Sequence, residues 1–383
     1  MKGRAKLIKT LFAVAAASGL ILSLAGSTPA HNEEKARQPG QKVERTLTVD
    51  PQATITLCVA SGALTVHGWD KHEVRVRSTD ADQLEFHRID KPKEPNTPAT
   101  RIDVMVLDKN ARLNPNLDCQ AIADVDMDVP AGATVQVQTR DGDIAIVGIA
   151  GAYAGSQNGD ITIEKVTKLA EAGSVGGSIS LKDSSGRVNL SSAGGVVEAY
   201  NVRAASAEDT FEVGTVSGDI QLETISSPRV LAKTVSGTLT MSGALVKSGY
   251  YSFTNVTGEI VLAMPANASF RLSAKVSDKQ NIDSEFPLKY ASETSPTPPA
   301  RPRVLPLPPD NEKPLKEKEK SVAKPAPPAK TPAPPRTGPA VGPMTERPMV
   351  IVPYVRRIEA ICGSGDAVIS IASFGGAIRL KKL

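Results

Sequence analysis

The chain has 383 residues, of which 22% are charged and 4% are aromatic, with 30 glycines and 29 prolines. This composition argues against a compact enzyme with a tight aromatic core. The formal net charge of +4 comes from the first 30 residues, which hold four basic and no acidic side chains, so the remainder carries 41 of each sign. A neutral chain with few aromatic residues argues against nucleic-acid binding.

The first predicted element is a secretory signal peptide at residues 1–30. A basic stretch at 1–10 precedes an apolar run at 11–26 and a small-residue end, which is the order of an export signal. The apolar run has about 16 residues, fewer than the roughly 20 that span a bilayer, and this favours cleavage after Ala30 over retention as an anchor. We therefore expect an extracytoplasmic protein, in the periplasm or at the cell surface, with no transmembrane helix in the mature chain.

One unit recurs through the middle of the chain: a small or polar residue, a glycine, and then a strand with alternating apolar residues. Asp-Gly, Asn-Gly and Ser-Gly pairs supply positive φ at tight turns, and the alternation places every second side chain on one face of a strand. Successive turn glycines lie 17 to 23 residues apart. They are Gly142, Gly159, Gly177, Gly195, Gly218, Gly237 and Gly258.

This period predicts an all-β fold, specifically a parallel β-helix-like solenoid over residues 43–290. A coil of about 18–20 residues with two or three short strands can stack on the next coil about 4.8 Å away, which buries a continuous apolar file. A meander of hairpins that closes into a β-sandwich is the alternative, because glycine turns also serve hairpins. The regular period favours the solenoid.

The glycine-turn motifs also resemble a known family, the bacterial putative adhesins. The resemblance covers about residues 43–290 and rests on motifs in the expected order: Gly62-x-Leu64-x-Val66-x-Gly68-Trp69-Asp70, Asp128-Val129-Pro130-Ala131-Gly132-Ala133, Thr257-Gly258-Glu259-Ile260 and Met264-Pro265-Ala266-Asn267-Ala268. It implies an exported β-solenoid-like domain of unknown function, an envelope or surface location, and no established catalysis.

Composition and charge change on either side of this domain. Residues 31–42 are predicted to be a flexible N-terminal segment, and residues 291–349 a disordered linker rich in proline and lysine. Residues 31–290 carry a net charge of −7, whereas 291–349 carry +4 and 350–383 carry +3. Residues 350–383 contain two further repeat-like units, too few to fold alone, which we expect to pair back onto an edge of the solenoid.

The three cysteines are Cys58, Cys119 and Cys362. An odd number allows one disulfide and one free thiol in an oxidising compartment. Cys58 and Cys362 both lie in strand-like contexts before a glycine turn, so we predict a disulfide between them, with three buried thiols as the alternative. A zinc site is not expected, because no CxxC or HxxxH spacing occurs.

The residues predict no catalytic, cofactor or metal site. The chain has neither a Gly-x-Ser-x-Gly elbow nor a phosphate-binding glycine loop. His67 and His72 flank Trp69 and Asp70, which we interpret as an ordinary surface turn, because one loop lacks convergent partners. Acids follow several turn glycines and could form a calcium-binding ladder, but we favour turn solvation, because stacked like charges repel. These acids are Asp143, Asp160, Asp219, Glu259 and Asp366.

Three functions are compatible with these features. The leading hypothesis is an exported, non-enzymatic adhesion or binding module whose ligand is a glycan, a protein or an anionic polymer of the envelope or cell surface. The second is an envelope scaffold or stress-associated protein that contacts peptidoglycan or membrane through its basic linker. The third, less favoured, is a polysaccharide-active β-helix enzyme.

Overall fold

The computed structural model of the protein describes residues 42–91, 97–108, 119–277, 282–291 and 355–383. The signal peptide, residues 31–41 of the predicted N-terminal segment and all of the predicted linker except Ala291 lie outside this part. The described residues form 26 strands. The first thirteen are β1 (Val43–Ser61), β2 (Leu64–Trp69), β3 (Glu73–Ser78), β4 (Gln83–Arg88), β5 (Ala99–Leu107), β6 (Val125–Pro130), β7 (Thr134–Asp141), β8 (Ile144–Val147), β9 (Gly151–Ser156), β10 (Ile161–Glu164), β11 (Leu169–Ser174), β12 (Ile179–Lys182) and β13 (Arg187–Ser192). The others are β14 (Val197–Arg203), β15 (Phe211–Thr215), β16 (Ile220–Ser226), β17 (Arg229–Ser236), β18 (Leu239–Ser242), β19 (Tyr250–Thr257), β20 (Ile260–Met264), β21 (Phe270–Ser277), β22 (Ile282–Ser284), β23 (Lys289–Tyr290), β24 (Val355–Cys362), β25 (Ala367–Ser373) and β26 (Ile378–Lys382).

From β7 to β20 the chain winds as a regular two-sheet solenoid. Even-numbered strands of this region form sheet A and odd-numbered strands form sheet B, and each strand pairs in parallel with the strand two positions further along the chain. Consecutive strands therefore lie in opposite sheets, joined by a turn, and do not form hairpins. The predicted all-β solenoid is confirmed, and the β-sandwich alternative is not adopted.

The core lies between the two sheets and consists of files of apolar side chains. In the sheet A strands from β8 to β20 and in β26, the first residue points inward and is at most 1% exposed. Parallel pairing without a shift in register keeps these residues stacked from coil to coil. The members of this file are Ile144, Ile161, Ile179, Val197, Ile220, Leu239, Ile260 and Ile378. The alternation of the sequence thus becomes a continuous buried file, which is the main stabilising element of a solenoid.

At the N-terminal end, the first coil of the chain is not the first coil of the stack. β1 pairs in parallel with both β5 and β7, and β2 pairs in parallel with both β6 and β8. The coil of β1 and β2 therefore lies between the coil of β5 and β6 and the regular repeats. β4 covers β5 and β3 covers β6, both antiparallel, so antiparallel strands cap the outermost parallel coil.

The C-terminal end shows the same arrangement in reverse. β25 lies between β19 and β21 in sheet B, and β26 lies between β20 and β22 in sheet A, with all four pairings parallel. The last 17 residues of the chain, Ala367–Leu383, thus form an internal coil, whereas β24 covers β21 antiparallel. The sequence predicts these strands at an edge of the solenoid. They instead occupy an interior slot, where each strand is paired on both sides.

The disulfide differs from the predicted pairing. Cys58 is bonded to Cys119, with a Cα–Cα distance of 4.8 Å across 61 residues of sequence, and Cys362 is a free, buried thiol. The predicted Cys58–Cys362 bond is wrong because β1 lies in the second coil at one end of the stack, whereas β24 lies outside the last coil at the other end. The Cys362 thiol lies 3.5 Å from the carbonyl oxygen of Ala268.

Candidate binding face on sheet B

The seven predicted turn glycines lie at equivalent positions in successive coils, at the corner where sheet B strands lead into sheet A strands. At each of them an added Cβ would overlap the carbonyl oxygen of the corresponding glycine in the preceding coil. Positive φ occurs at only two of the seven, Gly237 (152°) and Gly258 (119°). Close approach between coils, rather than backbone conformation, is therefore what excludes a side chain at most of these turns.

A ladder of buried polar side chains supports this corner from inside, and sequence reasoning missed it. One hydroxyl or amide residue lies three positions before each turn glycine. In three successive coils its Oγ accepts the N–H of that glycine at 2.9 Å and donates to the carbonyl oxygen of the preceding turn glycine at 3.0–3.3 Å. The ladder residues are Thr139, Ser156, Ser174, Ser192, Thr215, Thr234, Asn255 and Ser373. The detectable signal was a Ser, Thr or Asn at a fixed distance from each turn glycine.

The acidic residues after the turn glycines do not form a continuous ladder. The carboxylates of Asp143, Asp160 and Asp219 each accept a backbone N–H from the next coil at 2.7–2.9 Å, and Glu259 pairs with Arg379 at 2.9 Å. Asp366 lies in a different turn, between β24 and β25. Within the described residues, no group of three or more His, Cys, Asp or Glu side chains could hold a metal ion.

The His–Trp–Asp turn is part of the N-terminal cap. The Trp69 indole N–H donates to the carbonyl oxygen of Glu73 at 2.8 Å, and the Lys71 and Arg75 cations each lie 4.8 Å from its ring centroid. Arg75 in turn pairs with Asp128 at 2.6 Å, which raises the pKa of the guanidinium. These contacts join β2, β3 and β6. His67 and His72 are exposed and take no part in them.

The outward face of sheet B carries a shallow depression of about 410 Å³, which we call the sheet B depression. Two parallel rows of side chains line it in register across β7, β9, β11 and β13. The first row is Gln136, Tyr153, Glu171 and Asn189, and the second is Gln138, Gly155, Gly173 and Ser191.

The two glycines in the second row have no structural need to be glycine. A Cβ on Gly155 would meet no atom nearer than Gln138 Cγ at 3.7 Å, and one on Gly173 no atom nearer than Ser191 Oγ at 3.6 Å, both ordinary van der Waals contacts. Neither residue has positive φ. The absence of a side chain at these two positions therefore leaves open space on the surface. At the turn glycines of the adjacent corner, by contrast, close approach between coils requires the absence of a side chain.

The groups around the sheet B depression suit a neutral, hydroxyl-rich ligand. Amides from Gln136, Gln138 and Asn189 both donate and accept hydrogen bonds, the Glu171 carboxylate accepts, and Tyr153 presents an aromatic ring beside a floor without side chains. An aromatic surface flanked by a few polar groups is a common arrangement for ligand binding. Sequence reasoning could not locate this face, because the two rows come from four strands.

Within the described residues, no helix has the length and apolar character needed to cross a membrane.

Comparison with known proteins gives the chain a family. The family model described as Toastrack DUF4097 matches residues 30–289. Among solved structures, the chain is similar to one described as a putative adhesin from Parabacteroides distasonis ATCC 8503, with 12% identity, a TM-score of 0.39 and coverage of 59% of this chain and 91% of that one. A putative adhesin from Parabacteroides merdae ATCC 43184 gives 11% identity, a TM-score of 0.33 and coverage of 59% and 90%.

A third structure, described as a putative cell adhesion protein from Clostridium sporogenes ATCC 15579, gives 8% identity, a TM-score of 0.20 and coverage of 90% of this chain and 100% of that one. No curated protein matches the chain. The resemblance inferred from the glycine-turn motifs is confirmed, since the family model covers most of the region that carries them. The protein belongs to the Toastrack DUF4097 family.

Proposed function

We propose that the protein is an exported, non-enzymatic binding module that acts in the periplasm or at the cell surface, as an adhesin does. The apolar run at residues 11–26 and its flanking residues support export. The adhesin descriptions of the similar bacterial structures agree with a surface role. The residues around the sheet B depression include hydrogen-bonding groups and an aromatic ring, a set that serves binding more readily than bond cleavage.

The ligand we assign to the sheet B depression is a neutral glycan segment of the envelope or of a neighbouring cell. The single observation that supports this choice is the pair of glycines, Gly155 and Gly173, whose missing side chains open a floor between polar and aromatic groups. Four strands about 4.8 Å apart give the depression a length of roughly 14 Å along the solenoid axis. An extended oligosaccharide could lie along this axis, with a sugar ring against Tyr153 and its hydroxyls on the amides.

The test fills the depression without disturbing the strand. Gly173→Leu places a side chain where the Cβ has room, and Gly214→Leu is the matched control. Gly214 lies in the same row, outside the depression, and its Cβ would have the same freedom, with the nearest atom at 3.7 Å. Titration calorimetry with oligomers of N-acetylglucosamine and of neutral glucans should show binding to the wild type and to Gly214→Leu, and at least tenfold weaker binding to Gly173→Leu.

Equal binding by all three proteins, or no binding of any neutral oligomer, would overturn the assignment of the ligand. Steady product formation from uronate polymers incubated with the protein, with or without Ca²⁺, would overturn the non-enzymatic part of the proposal. Location has its own test, which is protease treatment of intact cells followed by fractionation. Protection on intact cells, with digestion only after the envelope is opened, would rule out a surface adhesin and leave a periplasmic module.

A further inference from the structure

A row of apolar side chains, five of them exposed, follows the corner between sheet B and sheet A over six successive coils. Each member directly follows a residue of the buried polar ladder. Val175, Val216, Val235, Val256 and Phe374 are 59%, 54%, 46%, 40% and 45% exposed, and Ala193 lies between the first two. We call this row, Val175, Ala193, Val216, Val235, Val256 and Phe374, the apolar ridge.

The members of the ridge are stacked on one another by backbone hydrogen bonds. The carbonyl oxygen of Val175 accepts the N–H of Gly194, that of Ala193 accepts the N–H of Ser217, and that of Val216 accepts the N–H of Ser236. The pairings of β17 with β19 and of β19 with β25 continue the row to Phe374. The ridge is therefore a straight line of side chains with one side chain per coil, at a spacing of about 4.8 Å.

Nothing in the fold requires apolar residues at this position. In the two preceding coils the same turn position holds Arg140 and Gln157, both exposed. In the Gln157 coil the turn closes as it does in the ridge coils, with the N–H of Gly159 donated to the ladder hydroxyl of Ser156 at 2.9 Å. A polar side chain is therefore compatible with the turn. Six consecutive apolar residues at a position that tolerates arginine and glutamine indicate a surface that contacts something, since large exposed apolar patches mark interaction sites.

The residues on the sheet A side of the ridge are small and uncharged, and the lysine on its sheet B side is paired. On the side of sheet A, each ridge residue is followed by a glycine, serine or threonine: Gly176, Gly194, Ser217, Ser236, Thr257 and Gly375. On the side of sheet B, the neighbouring row includes Lys233, whose charge is paired with Glu212 at 3.5 Å. A surface that binds an anionic bilayer would instead carry unpaired lysine and arginine beside its apolar residues.

We propose that the apolar ridge is the face through which two copies of this chain associate. The ridges of two copies have the same spacing, because the chains are identical. A two-fold symmetric contact brings the same patch of both copies together, so the side chains of one ridge fit between those of the other. The residues that directly follow the ridge in each coil are uncharged, so they do not repel a second copy. This surface lies beside the sheet B depression but extends four coils beyond it, so the two sites are separable by mutation.

The area available sets the strength of the association. Five side chains that are 40–59% exposed leave on the order of 400 Å² of apolar surface per copy, and with the small flanking residues two ridges would bury roughly 1,000 Å² in total. That is the lower limit for a specific interface. We therefore expect a reversible dimer with a dissociation constant of about 1–10 μM, as suits contacts repeated between many molecules on a surface.

The experiment is sedimentation velocity over a range of protein concentrations. The sample is the protein purified from its host, in the form that the host produces. The test variant is Val216→Asp/Val235→Asp, which puts two charges in the middle of the ridge, and the matched control is Gln157→Asp at the same turn position outside the ridge. We expect the wild type and the control to dimerise alike and the test variant to need at least tenfold higher concentration, because burying unpaired charge is costly. Circular dichroism of all three should be identical.

Three results would overturn the proposal. The wild type could remain monomeric up to about 100 μM, which is well above the expected range. The control could weaken association as much as the test variant does, which would indicate a general charge effect. A monomeric wild type could bind phosphatidylcholine vesicles and lose this binding in the test variant, which would make a lipid surface the occupant of the ridge.

Discussion

The hydroxyl of Ser174 accepts the backbone N–H of Gly177 at 2.9 Å, inside the corner where one coil turns from sheet B into sheet A. The same hydroxyl donates to the carbonyl oxygen of Gly159 in the preceding coil at 3.3 Å. One buried side chain thus closes its own turn and ties it to its neighbour. This contact recurs in three successive coils. We therefore expect the polar ladder to stabilise both the turn within a coil and the stacking of adjacent coils.

Removing this hydroxyl should destabilise the protein. Ser174→Ala leaves a buried N–H and a buried carbonyl oxygen without their partner, which typically costs about 1–3 kcal/mol. Ser191→Ala, which removes an exposed hydroxyl from the next strand of sheet B, should change the free energy of unfolding by less than about 0.5 kcal/mol. Urea denaturation of both variants measures the difference. Equal stability of the two would mean that water replaces the ladder hydroxyl.

Two glycines four residues apart should respond differently to the same substitution. In Gly177→Ala the new Cβ overlaps the carbonyl of Gly159, so coils must separate, whereas in Gly173→Ala it meets nothing nearer than 3.6 Å. We expect Gly177→Ala to lower the free energy of unfolding by at least about 2 kcal/mol, because overpacking a well-packed region forces the backbone to shift. Gly173→Ala should be neutral or slightly stabilising, because it reduces the entropy of the unfolded chain. The measurement is thermal unfolding of both variants.

The disulfide should join Cys58 to Cys119 and leave Cys362 as the free thiol. Peptide mapping under non-reducing conditions should recover that linked pair. Cys58→Ser should lower the unfolding free energy by about 4 kcal/mol, as expected for a closed loop of 61 residues. Recovery of a peptide that links Cys58 to Cys362 would contradict the order of strands at the two ends.

Burial should also protect the remaining thiol. Burial raises the pKa of Cys362, so at mildly alkaline pH a smaller fraction of this thiol is ionised than of a free cysteine. Alkylation by iodoacetamide at that pH should be slow in the folded protein and fast in urea. Equally rapid reaction in the folded protein would mean that β24 opens readily, because this strand carries the thiol outside the last coil.

Cleavage between residues 292 and 354 should not release the C-terminal piece. β25 contacts strands on both sides in sheet B, and β26 does so in sheet A, so the piece is bound by main-chain pairing and by buried residues such as Ile369 and Ile378. A protease site introduced near residue 320, cleaved after folding, should give two fragments that elute together on size exclusion and separate only in denaturant. Separation without denaturant would contradict the inserted position of the last coil.

Much of the fold was predictable because its signals are local. Alternating apolar residues and a small or polar residue before glycine determine where a strand begins and which face it buries, and these features recur at nearly constant spacing. They identified the turn glycines, the solenoid and the family. The opposite corner was harder to predict, because residues such as Lys165 and Thr224 hold positive φ there without a glycine to mark them.

The sequence by itself determined that this is an all-β solenoid whose coils turn on glycines, since each coil carries its own turn and strand signals. Only the tertiary structure decided the order of the coils at both ends, the partner of Cys58, and the surfaces that face outward. All coils present the same pitch and register, so a strand from a distant part of the chain fits an interior slot as well as a neighbour does. Which strand occupies a slot therefore depends on long-range packing. The sheet B depression and the apolar ridge arise from that packing, because each combines residues from four or more coils.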